Sequence, residues 1–283
     1  MSKIKTWLVR GDTHGYYGWM VPTITENYKP EETAIIILGD AGFNFYLNKT
    51  DIRLKKEVES RGYYFYCVRG NHEARPQDTS CPYEKIWDEN VNGYVWAEPD
   101  YPHIRFFLDY GEYQINNYKI AVIGGAYSVD KWWRLHRFNI YSPTDIGYNN
   151  PKKTGWFPNE QLSVEEMDTA MKLFINKTYD FVFTHTCPID WQPRDLFLSA
   201  VDQSVVDNTM ELWLNELKNK INWTVWCWGH YHSDRIEYPY AEMYYQDIDN
   251  INDIWYRWKH YSQTGELDWW LHKGPNFWAN SSK

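Results

Sequence analysis

Apolar runs that stop abruptly at polar, glycine-bearing turns dominate the start of the chain. Thr6–Val9 (TWLV) and Thr33–Leu38 (TAIIIL) each run into Gly-Asp, and Tyr63–Val68 (YYFYCV) runs into Arg-Gly-Asn-His. Short runs that are apolar at successive positions predict strands buried on both faces. Residues 16–28, aromatic and mixed, predict a helix. So do residues 50–61 (TDIRLKKEVESR), which open on a Thr or Asp cap and place Ile52, Leu54 and Val58 partly on one face. Strands and helices alternating with turn residues after every strand predict a βαβ arrangement and a parallel sheet. Ligands of such sheets sit beyond the carboxyl ends of the strands.

The pattern changes in the second half. Ile104–Leu108, Gly111–Ile115 and Lys119–Ile123 predict short strands joined by tight turns, antiparallel in style. Ser142–Pro158 carries Pro, Asn and Gly and predicts a long loop. Ser163–Asn176 predicts a helix opened by an S-x-x-E capping box at Ser163 and Glu166. Phe181–Phe183, Val225–Trp228 and Arg235–Glu237 predict further strands, while Ile248–Asn280 is Trp-rich without a clear period. Because the polar motifs run from residue 11 to residue 232, the expected organisation is one domain over 1–247 with an extension, 248–283, packed on it.

Composition narrows the class. The 283 residues include 29 Lys and Arg against 38 Asp and Glu, a net charge of −9. That balance argues against non-specific binding of duplex nucleic acid. The four cysteines, Cys67, Cys81, Cys187 and Cys227, lie far apart without CxxC spacing. They suggest reduced thiols in a cytoplasmic protein rather than a zinc ribbon or a disulfide framework. Neither a signal sequence nor an apolar stretch long enough to span a membrane is read from the chain, so no membrane partner is expected. Seventeen Trp and 24 Tyr help raise the aromatic share to 19%. Such residues build cores and, where exposed, stacking or homodimer surfaces.

Five short segments carry the chemistry: Gly11-Asp12-Thr13-His14-Gly15, Gly39-Asp40, Gly70-Asn71-His72-Glu73, Thr184-His185-Thr186 and Gly229-His230-Tyr231-His232. Each follows an apolar run and so falls at a strand end. Asp-x-His and His-x-His spacings put both side chains on one face of extended backbone, where they can converge on an ion. Carboxylate, imidazole and amide oxygen suit Mn, Fe, Co, Ni or Zn. The donors are too many for one ion, and two divalent ions per chain account for them. A metal pair is the arrangement that hydrolyses phosphoric esters. Two such ions, offset by Asp12 and Asp40, leave about +2, which attracts phosphate despite the acidic chain and lowers the pKa of bound water towards ~7.

This ordered set of motifs resembles the calcineurin-like metallophosphoesterase superfamily, and the resemblance covers most of the chain. It implies an α/β fold, a two-sheet β-sandwich flanked by helices, with a dinuclear centre at the strand ends. It makes Asp12, His14 and His232 ligands of one metal, Asp40 the bridge, and Asn71, His185 and His230 ligands of the second. Manganese is the foremost candidate. His72 takes the place of the family's general acid, protonating the oxygen that leaves when a hydroxide held by the two metals attacks phosphorus in line.

The departures from the family shape the expected substrate. The phosphoprotein phosphatases of this superfamily extend their second motif to GDxVDRG, where the Asp orients the catalytic His and the Arg grips phosphate. Here Gly39-Asp40-Ala41-Gly42-Phe43-Asn44 puts Phe and Asn at those two places. The orienter of His72 is then open, with Glu73 or a water as the options. Gly124–Lys131 with Arg134, and Gly155–Glu160, are similar to segments of small bacterial and phage metallophosphoesterases. Lys131, Arg134 and Arg137 interleave with Trp132 and Trp133, so cations that fork onto phosphate stand beside rings that stack on a base. The expected substrate is a phosphodiester or small phosphomonoester, nucleotide-derived, contacted by Asn44, Lys131, Arg134 and Arg137. The alternatives are a phosphoprotein phosphatase or a catalytically weak metal-binding scaffold that docks a partner.

Overall fold

The computed structural model describes residues 4–78, 82–237 and 239–267. Cys81 and the last part of the Trp-rich tail, 268–283, lie outside them. Sheet one takes β1 (Thr6–Arg10), β2 (Thr33–Ile37), β3 (Tyr64–Cys67), β4 (Glu84–Asp88), β5 (Gly93–Ala97) and β6 (Ile104–Phe107). Sheet two takes β7 (Tyr110–Ile115), β8 (Tyr118–Ile123), β9 (Thr178–Thr184), β10 (Asn222–Trp228), β11 (Arg235–Glu237) and β12 (Ala241–Met243). The chain then returns to sheet one as β13 (Ile248–Asn250). The strand orders are β13-β1-β2-β3-β6-β5-β4 and β11-β12-β10-β9-β8-β7. Both sheets are mixed. β1, β2, β3 and β6 run parallel, as do β8, β9, β10 and β12.

Alternation along each strand explains the layers. Trp7 and Val9 of β1, and Ala34 and Ile36 of β2, point inward to meet Val122, Phe183 and Val225 of sheet two in a common core. Leu8, Ile35 and Ile37 point the other way, beneath the helical segments of sheet one. Both faces are therefore apolar, as parallel strands require, and full burial of each such side chain is worth about 1.5–3 kcal/mol. Helices α5 (Val164–Phe174) and α6 (Thr209–Lys218) cover the outer face of sheet two through Met167, Phe174, Leu214 and Leu217.

Several elements differ from expectation. Only α1 (Met20–Thr23) forms within 16–28; Pro22, which has no N–H and is tolerated only in a first helical turn, keeps it from starting earlier. α2 (Lys49–Glu59) starts at Asn48, whose side chain accepts the Thr50 N–H, rather than at Thr50 or Asp51. Its buried face is Asp51, Lys55 and Val58, whereas Ile52 is 45% exposed. Lys55 reaches buried Glu98 at 2.5 Å and Asp51 accepts the backbone N–H groups of Tyr46 and Leu47, so charge is buried with partners in place. β7 and β8 are antiparallel as expected, but β6 belongs to the other sheet, parallel to β3. The remaining helices are α3 (Lys131–His136), α4 (Pro151–Thr154), a single turn in the 142–158 loop, and α7 (Ile251–Thr264). α7 buries Ile251, Ile254, Arg257 and Trp258 against the core.

Candidate metal centre

Strands of both sheets end on one rim. β1, β2, β3, β9 and β10 stop one to four residues before Asp12, Asp40, Asn71, His185 and His230 respectively. The loops that follow bend back sharply. His14, Asp40, His230 and His232 all adopt positive φ, at 47°, 49°, 70° and 53°. L-residues occupy that region at about 1–2 kcal/mol each, a cost borne here by four residues that the motifs single out. Two glycines clear the space between loops. A Cβ on Gly39 would sit 1.8 Å from His185 Nδ1, and one on Gly70 would sit 1.9 Å from Asp40 Oδ1.

The two buried aspartates divide their oxygens in the same way. Asp12 Oδ1 accepts the His230 backbone N–H and Asp40 Oδ1 accepts that of His72, both at 2.8 Å. Each Oδ2 turns inward. Asp12 Oδ2 lies 3.3 Å from His232 Nε2 and 3.8 Å from His14 Nε2, without a hydrogen bond among the described residues. Asp40 Oδ2 lies 3.6 Å from His185 Nε2 and 3.9 Å from His14 Nε2. The Nδ1 of His185 sits 2.8 Å from the Leu38 carbonyl, which can only accept, so that nitrogen carries the proton. Its Nε2 is thereby aimed inward, 2.8 Å from Asn71 Oδ1.

Two groups of donors result. Asp12, His14 and His232 converge with ligand atoms within 4.8 Å of one another, and so do Asp12, Asp40 and His185. Asn71 and His230, whose ring centroid is 5.0 Å from that of His185, flank the second group. An inward carboxylate oxygen without a partner is costly to bury. Mixed oxygen and imidazole donors around it fit divalent cations.

The electrostatics agree. Burial would raise Asp40, but His185 and His72 hold it well below the ordinary carboxylate range. Asp12 also stays low, with burial outweighed by the charge of His185 and the contact with His232. Burial opposes the proton on His185, yet Asp40 and Asp12 lift it to about 9. His232 is raised by its 3.3 Å contact with Asp12, whereas burial and the His185 charge push His230 down to about 3. A protonated His185 thus offsets the carboxylates where cations would otherwise stand.

His72 lies at the junction of two clefts. One, about 270 Å³, runs beneath the 192–208 loop and is lined by Tyr127, Phe197, Leu198, Val201 and Tyr231. The other, about 630 Å³, opens beside α2 and is lined by Phe45, Arg53 and Arg134. Asp40, His72, Asp130 and His232 line both. Burial, then Arg134 and His14, hold His72 below its ordinary pKa. Glu73 does not orient His72. Its carboxyl, pushed up to about 8 chiefly by burial, accepts the N–H groups of Gly42 and Gly70 and ties two motif loops together.

The residues expected to contact substrate separate. Arg134 faces the larger cleft, held by Asp130 and the Gly155 carbonyl. Asn44 is buried and turned away, with Oδ1 accepting from Tyr83. Lys131 is drawn into an aromatic box, 4.4 Å from the Trp156 ring centroid, and lines a third depression instead. Arg137 is exposed and stacks over Trp133. Sequence reasoning did not find Phe197, Leu198 and Tyr231 as cleft walls. Tyr231 at least sat inside the GHYH motif.

The calcineurin-like phosphoesterase family model matches residues 6–234. The chain therefore belongs to the calcineurin-like phosphoesterases, metal-dependent hydrolases that act on phosphoric ester bonds. No curated protein matches it. Among the described residues no helix is long and apolar enough to cross a membrane.

Proposed function

We propose that this phosphoesterase hydrolyses a small phosphodiester or phosphomonoester bearing a flat, apolar organic group of nucleotide type. Asp12, His14 and His232 would hold one divalent ion and Asn71, His185 and His230 another, with Asp40 within reach of both as the bridging carboxylate. When bound, the ions withdraw charge from the phosphoryl oxygens and bring a water's pKa towards ~7. The carrying observation is the junction: Asp40, His72 and His232 are shared by an apolar cleft and a cleft containing Arg53 and Arg134. An ester placed there rests its organic group against Phe197 and Tyr231 and extends its other substituent towards the arginines. A phosphoprotein segment finds no counterpart to a phosphate-gripping Arg at Asn44, which is buried.

The chain's own residues arrange the rest. Asp40 fixes the His72 backbone through a 2.8 Å bond, so the ring stays at the cleft junction. Burial and the neighbouring Arg134 hold the imidazole below its ordinary pKa, against the pull of Asp40 and Asp130. An arriving anion reverses that balance and loads the ring with a proton. As hydroxide, left when the water has given its proton to solvent, adds to phosphorus and the bond to the departing oxygen breaks, His72 gives its own proton to that oxygen. Free, buried Cys67, Cys187 and Cys227 are consistent with a reducing, cytoplasmic setting.

The test is hydrolysis of aryl phosphate monoesters and diesters after metal removal, with Mn, Ni, Co, Zn and Mg returned separately. Diester turnover restored at two ions per chain is the expected result. Turnover of monoesters alone would redirect the substrate to phosphatase chemistry, and two bound ions without turnover would favour a scaffold.

A further inference from the structure

Two segments that resembled parts of small metallophosphoesterases, Gly124–Lys131 and Gly155–Glu160, do not deliver their most conspicuous cation, Lys131, to the cleft junction. They deliver two buried polar residues to the back of Asn71. Ser128 follows the end of β8, and its Oγ lies 2.8 Å from Asn71 Nδ2. Glu160 accepts from Ser128 twice, from the backbone N–H at 3.0 Å and from the hydroxyl at 2.5 Å. Glu160, Ser128 and Asn71 are all buried. Glu160 is itself held from behind, its carbonyl accepting from Arg69 at 2.8 Å.

We propose that Glu160 and Ser128 are positioning residues that set the polarity of the Asn71 amide, so that its oxygen, not its NH2, faces the metal centre. The count of donors decides the orientation, given the proposed role of Asn71 as a metal ligand. A hydroxyl has one proton. While Glu160 is ionised, above the value of about 7 to which burial raises it, both its oxygens accept from Ser128, so that proton points at Glu160 and Ser128 Oγ can only accept from Asn71. The NH2 of Asn71 must then lie on the Ser128 side, which leaves Oδ1 towards His185 Nε2 and Asp40. Flipped by 180°, the same amide would fit the space equally well and present two N–H groups to a cation. Steric fit does not choose between the two orientations. The hydrogen-bond chain does.

Two substitutions in the full chain test this. Ser128→Ala removes the acceptor. Glu160→Gln keeps the volume but supplies an NH2 to Ser128, which lets the hydroxyl donate to Asn71 and favours the flipped amide. With metal-stripped protein and Mn²⁺ followed by calorimetry, each substitution should weaken one of two binding steps by about 10–100-fold and spare the other. In ¹H–¹⁵N spectra of the metal-free protein, the Asn71 side-chain amide should exchange slowly in the unsubstituted chain and faster in Ser128→Ala. Unchanged binding of both ions in both variants overturns the proposal. So does equal weakening of both steps alongside a lower metal-free melting temperature, which marks a structural role only. If the unsubstituted chain itself binds fewer than two ions, the dinuclear reading fails instead. The amide exchange then decides the hydrogen-bond chain by itself, and equal exchange in both proteins overturns it.

Discussion

Two buried acidic clusters in this molecule are built on opposite principles. At the C-terminal side, Glu242 and Asp249 meet Arg257 of α7, at 3.2 and 2.8 Å. Tyr244 donates to both acids, and Trp258 Nε1 donates to Glu242 at 2.5 Å. The chain supplies its own cation and donors, and no residue of this cluster adopts positive φ. At the strand-end rim, Asp12 and Asp40 are as deeply buried but face only histidines, and Asp12 Oδ2 is left without a hydrogen bond among the described residues. Four residues there hold left-handed backbone. One cluster is complete as folded. The other is complete only with cations from outside. The difference separates a structural charge cluster from a functional one more sharply than burial does, since both are buried.

The largest expected effect comes from deleting a carboxylate at the rim. Asp40→Ala should cut turnover by about 10³-fold or more and bring bound ions below two per chain, measured by metal analysis. Its metal-free stability should fall, because the lost hydrogen bond to His72 and the lost charge that holds the proton on His185 outweigh the relief of Asp12. Two ions retained would end the bridging role. Deleting the cation of the complete cluster should do the reverse. Arg257→Leu leaves Glu242 and Asp249 buried without their partner and should cost about 3–5 kcal/mol in denaturant unfolding, with ion stoichiometry untouched. A loss below 1 kcal/mol would show that the cluster does not depend on its arginine.

The same contrast explains what the sequence disclosed. Asp12, Asp40, Asn71 and the three histidines after β9 and β10 could be read because each follows a fully buried apolar run, and the run announces the strand end. α7 could not be read, because one of its four buried positions is Arg257, and a charge on the inner face erases the apolar period. The same holds for α2, whose inner face carries Asp51 and Lys55. Asn44 was placed by its position in a motif, but position says nothing of direction, and Tyr83 draws it inward. Lys131 was placed by charge, which the surrounding Trp and Tyr rings outbid. Ser128 and Glu160 carry no signal of their own until the fold brings them behind Asn71.

The smallest effect is a pH dependence that should separate the clusters once more. His185 at about 9 and Glu73 at about 8 both titrate above their ordinary values in the folded chain. A raised pKa means that folding is favoured by proton binding, so this stability is full below the ordinary value and is lost as pH rises through the folded one. Glu242, at about 7 chiefly through burial, acts in the same direction but is spent earlier. His230, held at about 3, has the opposite sign, yet its contribution is already complete above pH ~6.5 and stays flat beyond it. The metal-free chain should therefore melt lower as pH climbs from 6.5 to 9, by on the order of 5 °C. Saturating Mn²⁺ should flatten or invert that slope, because an ion at the rim takes the place of the proton on His185, whereas Glu242 is indifferent to it. Glu73→Gln should remove the part of the slope that is full at pH 6.5 and fades as pH passes about 8. A metal-free melting temperature that stays level from pH 6.5 to 9 would mean that a protonated His185 does not substitute for cations at the rim.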